Sequence, residues 1–379
     1  MKKYLKKTII FLLLFSMNLK VYSAEFLQTE NVKSLLLMEA SSGKVLYEFN
    51  PHDSLPPASV TKIMTMLLIC EAIEKGEISL DTQITASERA KSMGGSTIYL
   101  ETNEVMSLND LLKGIAVASA NDACVAVAEH MAGSVESFVA LMNKRAQELG
   151  MKDTNFINCN GLDAENHHTS AYDIAIMSRE LLKHKMIEKY TTIWMDSLRN
   201  GKFQLANTNK LIRYYAGANG LKTGSTSNAG CCISAAAKRD GMQLIAVVLG
   251  ADNSKIRFSS ASNLLNHGFA NFSVNSFGPK GSEVCRIPVI NGKNDSIVAV
   301  TQNDTSVVIS KEDRDNVKTH VNMHQEITAP VIKGSVVGEL IITLNGETLA
   351  KTDLISDRTV DKMGAKDYFI KLFIGLLNI

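Results

Sequence analysis

Residues 33–50, "KSLLLMEASSGKVLYEFN", hold two strand-forming runs on either side of Ser42–Gly43, which predicts a β-hairpin. The period then changes. Over residues 59–75, Val60, Ile63, Met64, Met66, Leu67, Leu68, Ile69 and Ile73 cover nearly every side of a helix, and a helix apolar all round is a buried one. Gly76 is its stop. "SLNDLLKGIAVAS" at 107–119 opens with a capping-box pattern, Ser107 and Asp110. A second helix is expected from about Asn121 to Met131. "SFVALMNKRAQELG" and "SAYDIAIMSRELLKH" have the 3.6-residue period of amphipathic helices. "CCISAAAKRDGMQLIAVVLG" at 231–250 reads as two strands around the tight-turn pair Asp240–Gly241, and "SASNLLNHGFANF" as a closing helix.

After "NSFGPKG" (275–281) the texture shifts to short β-rich runs, "EVCRIPVI", "SIVAVTQ", "TSVVIS" and "VVGELIITL", punctuated by Asn, Asp and Gly. That pattern predicts an all-β module, a small sandwich, over 276–356. The chain ends differently. In "DKMGAKDYFIKLFIGLLNI" the polar Lys362, Lys366, Asp367, Lys371 and Asn378 fall near one helical face. Tyr368, Phe369, Leu372, Phe373, Leu376 and Ile379 occupy much of the rest. A helix over 364–379 is ~24 Å long, short of a hydrocarbon core of ~30 Å, so residues 357–379 are expected to lie on a membrane surface rather than span it.

At the other end, Lys2, Lys3, Lys6 and Lys7 precede "TIIFLLLFSM" and then the small residues Ser23 and Ala24. This is the layout of a secretory signal over 1–24, so the protein is expected to be exported. The 379 residues therefore predict a domain at 25–275 and a second at 276–356. Net charge is +1 and no basic stripe recurs, which argues against a nucleic-acid partner. The six cysteines contain no C-x-x-C, and Cys70 and Cys124 fall in apolar helices, where a thiol behaves as a small hydrophobe. Mostly free thiols are expected, with Cys231 and Cys232 on opposite faces of a strand. There is no H-E-x-x-H, and His167–His168 fall in a polar stretch, so neither a metal site nor a cofactor is expected.

The polar residues that open the apolar helix pose the chemical question. In "PPASVTKIMT" Ser59 and Lys62 are three residues apart, hence on one helical face. Either they are ordinary polar residues at a helix start, or they are a nucleophile and its base. A serine needs an adjacent base, and a lysine serves as one when burial or a neighbouring cation lowers its pKa. The helix N-terminus adds N–H groups and a positive dipole where an oxyanion would develop. S-x-x-K alone is weak: about one or two are expected by chance in such a chain, and Ser41–Lys44 also matches, in a hairpin turn. A second element is Ser119–Ala120–Asn121 at the junction of two apolar helices, where capping is the alternative. The third, Lys222–Thr223–Gly224 in "GLKTGSTS", occurs once. A strand-edge lysine and hydroxyls suit an anionic substrate tail, and Gly224 lets an extended substrate approach the strand. Lys222 could also help depress Lys62.

S-x-x-K, S-x-N and K-T-G in this order resemble the signature of the penicillin-recognising serine acyltransferases. "GGS" at 94–96, "VASANDACVAVAEH", "FINCNGLD" and "TSAYDIAIMSREL" extend the likeness to the D-alanyl-D-alanine carboxypeptidases, the low-molecular-mass penicillin-binding proteins, over roughly residues 30–270. The resemblance implies an α/β (α+β) catalytic domain of the penicillin-binding and β-lactamase type, an antiparallel sheet flanked by helices, followed by an all-β domain. It implies a peptidoglycan pentapeptide stem as substrate and β-lactams as covalent inhibitors. Ser59 would be the nucleophile and Lys62 its base. Ser119 would relay a proton to the leaving group, and Asn121 would orient Lys62 and the substrate amide. Thr223 and Ser225 would hold the terminal carboxylate with Lys222 nearby, and the N–H groups of Ser59 and Ser225 would form the oxyanion hole. Many relatives carry histidine where this chain has Ser225, so only a backbone role carries over there. Arg257 matches an arginine near the carboxylate, or else is a solvated helix charge. A β-lactamase would be expected to add E-x-x-L-N, which this chain lacks. A transpeptidase or endopeptidase, or an inactive wall-binding module, would share the remaining features.

Overall fold

The computed structural model describes residues 29–323 and 327–377. The expected secretory segment lies outside them. In the first domain, β1 (Ser34–Glu39) and β2 (Val45–Phe49) form the hairpin that the sequence predicts, and the long helix of the apolar run is α1 (Lys62–Glu74). The helices α2 (Asn121–Ala132), α3 (Val135–Glu148) and α4 (Ala171–Lys183) follow. The chain then returns through β3 (Ala218–Thr226), β4 (Gly230–Arg239) and β5 (Met242–Ala251) to α5 (Ser254–Asn271). The five strands make one antiparallel sheet in the order β2-β1-β5-β4-β3.

Two-residue alternation divides this sheet between two cores. Leu36 and Met38 of β1 and Ile245, Val247 and Leu249 of β5 join the core of α1, α2 and α4, while Leu35, Leu37, Leu244, Ala246 and Val248 face Ala261, Leu264 and Leu265 of α5. A strand buried on both faces reads as a continuous apolar run, which is why "SLLLM" and "LIAVVL" lack polar alternation. Truncating one such residue, Leu36→Ala for example, removes ~2–5 kcal/mol of stability. Cys232 enters the first core and Cys231 packs against the second, and all six cysteines are free thiols. Asp240 and Gly241, at φ +47° and +81°, make the turn between β4 and β5.

Strand β6 (Phe272–Gly278) follows α5 directly and already pairs with β9 (Thr305–Ser310), upstream of the change in texture near 276. Strands β7 (Glu283–Ile290), β8 (Ser296–Thr301), β10 (Val317–Met323), β11 (Ile327–Thr328), β12 (Val336–Leu344) and β13 (Glu347–Ser356) form a six-stranded sheet, β10-β12-β13-β8-β7-β11. The β6–β9 ribbon packs on it through Val307, Ile309 and Ile342, so the two layers of this all-β unit are unequal. The last helix is α6 (Ala365–Leu377).

Candidate active site

The site forms where the start of α1 meets the end of β3. Ser59 is in a 3-10 turn, Ala58–Thr61, that runs into α1 at Lys62. In a 3-10 turn residues i and i+3 eclipse, so serine and lysine point the same way. The Lys62 Nζ donates at 2.9 Å to Ser59 Oγ, at 2.6 Å to Asn121 Oδ1 and at 2.6 Å to the Asn160 carbonyl. Asn121 in turn donates Nδ2–H to the Gly94 carbonyl at 2.7 Å, which fixes its Oδ1 toward the lysine.

This geometry decides what Lys62 can do. Asn121 Oδ1 and the Asn160 carbonyl can only accept, whereas Ser59 Oγ can also donate. A neutral amine has two N–H bonds for the two obligate acceptors, and its lone pair is left facing the serine hydroxyl. Lys62 is fully buried while Ser59 is half-exposed. Burial lowers the Lys62 pKa, against the opposing pull of Cys124, Cys159 and Asp122.

Lys222 is also buried, and its pKa is well below the ordinary lysine value, through burial first and then the charge of Lys62. The repulsion between the two ammonium groups is mutual, so each lysine disfavours the charged form of the other. Lys62 donates to two fixed acceptors besides Ser59, whereas among the described residues Lys222 donates to the Thr223 carbonyl, at 2.9 Å. Thr223 Oγ1 donates to Thr208 Oγ1 at 2.7 Å. Ser225 is exposed on β3, paired with Cys231.

Ser119 follows a π-helical turn, Gly114–Ala118, and has left-handed backbone at φ +64°. Ala120, not Ser119, is the N-cap of α2, and no side chain caps that helix, so the capping alternative fails. Arg257 is not a solvated charge. It is 8% exposed, and donates Nη1–H to the Gly224 carbonyl at 3.1 Å and Nη2–H to Ser254 Oγ at 3.1 Å. Its guanidinium lies over the Phe258 ring, 4.5 Å from the centroid. The second S-x-x-K behaves differently: Ser41 Oγ donates to the Glu39 carboxylate at 2.8 Å, and Lys44 Nζ donates to the Val308 carbonyl at 3.0 Å.

Asn160, Gly161 and Asp122 were not singled out from the sequence, and Gly224 and His167 have contacts that it did not predict. Asn160 acts through its carbonyl, which has no residue-type signature. At Gly161 a Cβ would fall 1.9 Å from the Ala58 carbonyl oxygen, and at Gly224 2.8 Å from the Ser59 nitrogen. Both glycines let backbone close on the peptide that carries the Ser59 N–H. The buried Asp122 carboxylate accepts from the N–H groups of Ile98, Leu100 and Ala123, tying the segment after "GGS" to α2. His167 is in a loop, as its polar neighbours suggest, but its side chain is buried, at 4% exposure.

A Ser–Lys pair with its amine buried, braced by an asparagine and facing a K-T-G strand, is an arrangement able to carry serine acyl transfer. The D-alanyl-D-alanine carboxypeptidase family profile matches residues 22–253, and that of the penicillin-binding protein 5 C-terminal domain matches 272–362. D-alanyl-D-alanine carboxypeptidase DacF of Bacillus subtilis is 44% identical over 336 residues, covering 88% of this chain and 86% of the relative. DacC of Escherichia coli is 34% identical, over 88% and 85%. The crystal structure of penicillin-binding protein 5 from Haemophilus influenzae superposes with a TM-score of 0.77 at 32% identity, over 88% of this chain and 98% of that one. Penicillin-binding protein D2 from Listeria monocytogenes, in its ampicillin-bound form, matches 63% of this chain and 98% of its own at 30% identity, with a TM-score of 0.58. The chain belongs to the D-alanyl-D-alanine carboxypeptidase family and is a serine carboxypeptidase of that family.

Proposed function

We propose that the protein removes the terminal D-alanine from peptidoglycan pentapeptide stems through an acyl-enzyme on Ser59. The observation that carries this reading is the Lys62 Nζ, buried and 2.9 Å from Ser59 Oγ, with both of its other partners obligate acceptors. Lys62 takes the hydroxyl proton as Ser59 Oγ attacks the carbonyl between the two D-alanines. The N–H groups of Ser59 and Ser225 receive the oxyanion. The C–N bond then breaks, with Ser119 passing a proton to the departing D-alanine amine and Asn121 holding Lys62 and the substrate amide. Water hydrolyses the ester and regenerates Ser59. Thr223, Ser225 and Lys222 hold the terminal carboxylate, and Arg257, seated behind Gly224, adds positive potential there. β-Lactams enter the same path and stay as the acyl group. The test is product analysis on a pentapeptide. Free D-alanine with a tetrapeptide is expected; a cross-linked dimer would make the protein a transpeptidase, and no reaction would make it a wall-binding module.

We infer further that the protein acts outside the cell, for which the basic–apolar–small N-terminal pattern speaks, and that α6 holds it at the membrane surface. In support of the second point, Tyr368 and Lys371 tether the helix to Asn291 and Asp295, while Phe369, Leu372 and Phe373 are 70%, 67% and 58% exposed. A helix packed back on the β-domain as core would bury those side chains. Among the described residues no single helix is long and apolar enough to cross a membrane. The mature protein ending at Arg358 should leave the membrane fraction and keep its activity on soluble pentapeptide. Retention in high salt would exclude the tail as anchor.

A further inference from the structure

Behind the site, a buried histidine that the mechanism does not use points at the peptide bond preceding the nucleophile. The His167 Nδ1 accepts the Ile157 N–H at 2.9 Å, so that nitrogen carries the lone pair. In the neutral ring the proton is then on Nε2, which is 2.9 Å from Thr61 Oγ1. Thr61 Oγ1 donates at 2.8 Å to the Ala58 carbonyl. Every link has one direction: Ile157 N–H to His167, His167 Nε2–H to Thr61, Thr61 O–H to Ala58.

The Ala58 carbonyl and the Ser59 N–H belong to one planar peptide unit, so holding the oxygen fixes the direction of the N–H. That unit is not at rest by itself. Ala58 has left-handed backbone at φ +49°, a conformation a β-carbon disfavours, and only its surroundings keep it there. Both Thr61 and His167 are buried, at 0% and 4% exposure, and burial holds the imidazole neutral by lowering its pKa to about 4. We propose that His167 is a positioning residue which, through Thr61, clamps the Ala58–Ser59 peptide so that the Ser59 N–H points at the developing oxyanion. The proposal rests on the acyl-enzyme reading above.

The clamp acts on the transition state and not on substrate binding, which separates it from a packing role. Removing an oxyanion-hole donor outright lowers rates ~10²–10³-fold, and loosening one should give part of that. Thr61→Val, of equal shape but without the hydroxyl, should slow acylation by a fluorescent penicillin ~10-fold or more, with half-saturation unchanged within about twofold. Thr61→Ser should restore most of the rate. His167→Phe should match Thr61→Val, and the double variant should be no slower than either, because both break one chain. Folded Thr61→Val or His167→Phe protein acylating within about twofold of the wild-type rate overturns the clamp. Ring-nitrogen NMR of the wild type at pH 7 gives a readout independent of activity: an Nε2–H tautomer is expected, and an Nδ1–H tautomer overturns the clamp even where the variants do not fold. A wild-type protein that takes no label overturns the acyl-enzyme reading and the clamp together. A labelled wild type with unaffected variants overturns the clamp alone.

Discussion

Two serine–lysine pairs in this chain have the same spacing, Ser59–Lys62 at the start of α1 and Ser41–Lys44 in the turn between β1 and β2. In the hairpin, the Glu39 carboxylate takes both the hydroxyl and the amide of Ser41, and the exposed Lys44 reaches away to the neighbouring domain. At α1 the serine and lysine are 2.9 Å apart, with the amine buried among fixed acceptors. Spacing brings two side chains within reach; the third and fourth partners decide whether a proton can pass. Here those partners are Asn121 and Asn160, 59 and 98 residues distant.

The largest effect expected from this contrast is at the nucleophile. Ser59→Ala should abolish covalent penicillin labelling with little loss of stability, and Ser41→Ala should label as wild type. Label retained on the first variant would break the comparison at its root.

The base comes next. Lys62→Met should slow acylation ~10²–10⁴-fold, the range of a lost general base, while Lys44→Met leaves it unchanged. Because burial lowers the Lys62 pKa, the wild-type acylation rate should climb through neutral to alkaline pH. A rate that responds only near the ordinary lysine pKa of about 10.4 would remove Lys62 from that role.

Smaller, and directed at the backbone, are the effects of added methyl groups. Gly224→Ala would set a carbon 2.8 Å from the Ser59 nitrogen, and Gly161→Ala 1.9 Å from the Ala58 oxygen. Gly224→Ala should lower acylation ~10-fold or more with the fold intact, since part of an oxyanion hole is displaced. Gly161, at φ +87° with no room at all, should also lose stability, by ~1–3 kcal/mol on thermal unfolding. Gly43→Ala beside the hairpin pair should leave acylation untouched.

The strands, the buried helix and the three motifs are legible in the sequence because each depends on local period or on a few adjacent residues. The "SLLLM" run, the Asp240–Gly241 turn and the all-apolar α1 needed no distant contact to be recognised. What escaped depends on contacts far along the chain. The Asn160 carbonyl and the space that Gly161 leaves for Ala58 are backbone features. His167 is in a run of polar residues, yet 106 positions separate it from the Thr61 hydroxyl that draws it inside. Ser119 takes left-handed backbone at the end of a π-helical turn, a combination that no single residue type announces.

The smallest effect tests the two lysine environments by stability instead of rate. Lys222 is buried with one hydrogen bond among the described residues, to the Thr223 carbonyl, and its folded-state pKa is well below the ordinary lysine value. Below the folded pKa both states are protonated, and the folded protein carries the whole penalty of a buried charge. Between that pKa and about 10.4 the unfolded chain binds more protons, so wild-type stability rises with pH and the penalty fades. Lys222→Met keeps the volume and removes the charge. It should raise stability at pH 7 by roughly 1–2 kcal/mol, and with it the melting temperature by ~2–8 °C in a domain of this size, at the expense of activity. The gain should shrink as pH rises toward about 10. Lys44→Met, exposed in its turn, should change stability by less than ~0.5 kcal/mol at any pH. A Lys222→Met variant no more stable than wild type at pH 7 would mean that the lost Thr223 hydrogen bond outweighs the buried charge. The contrast between the two lysines would then rest on reactivity alone.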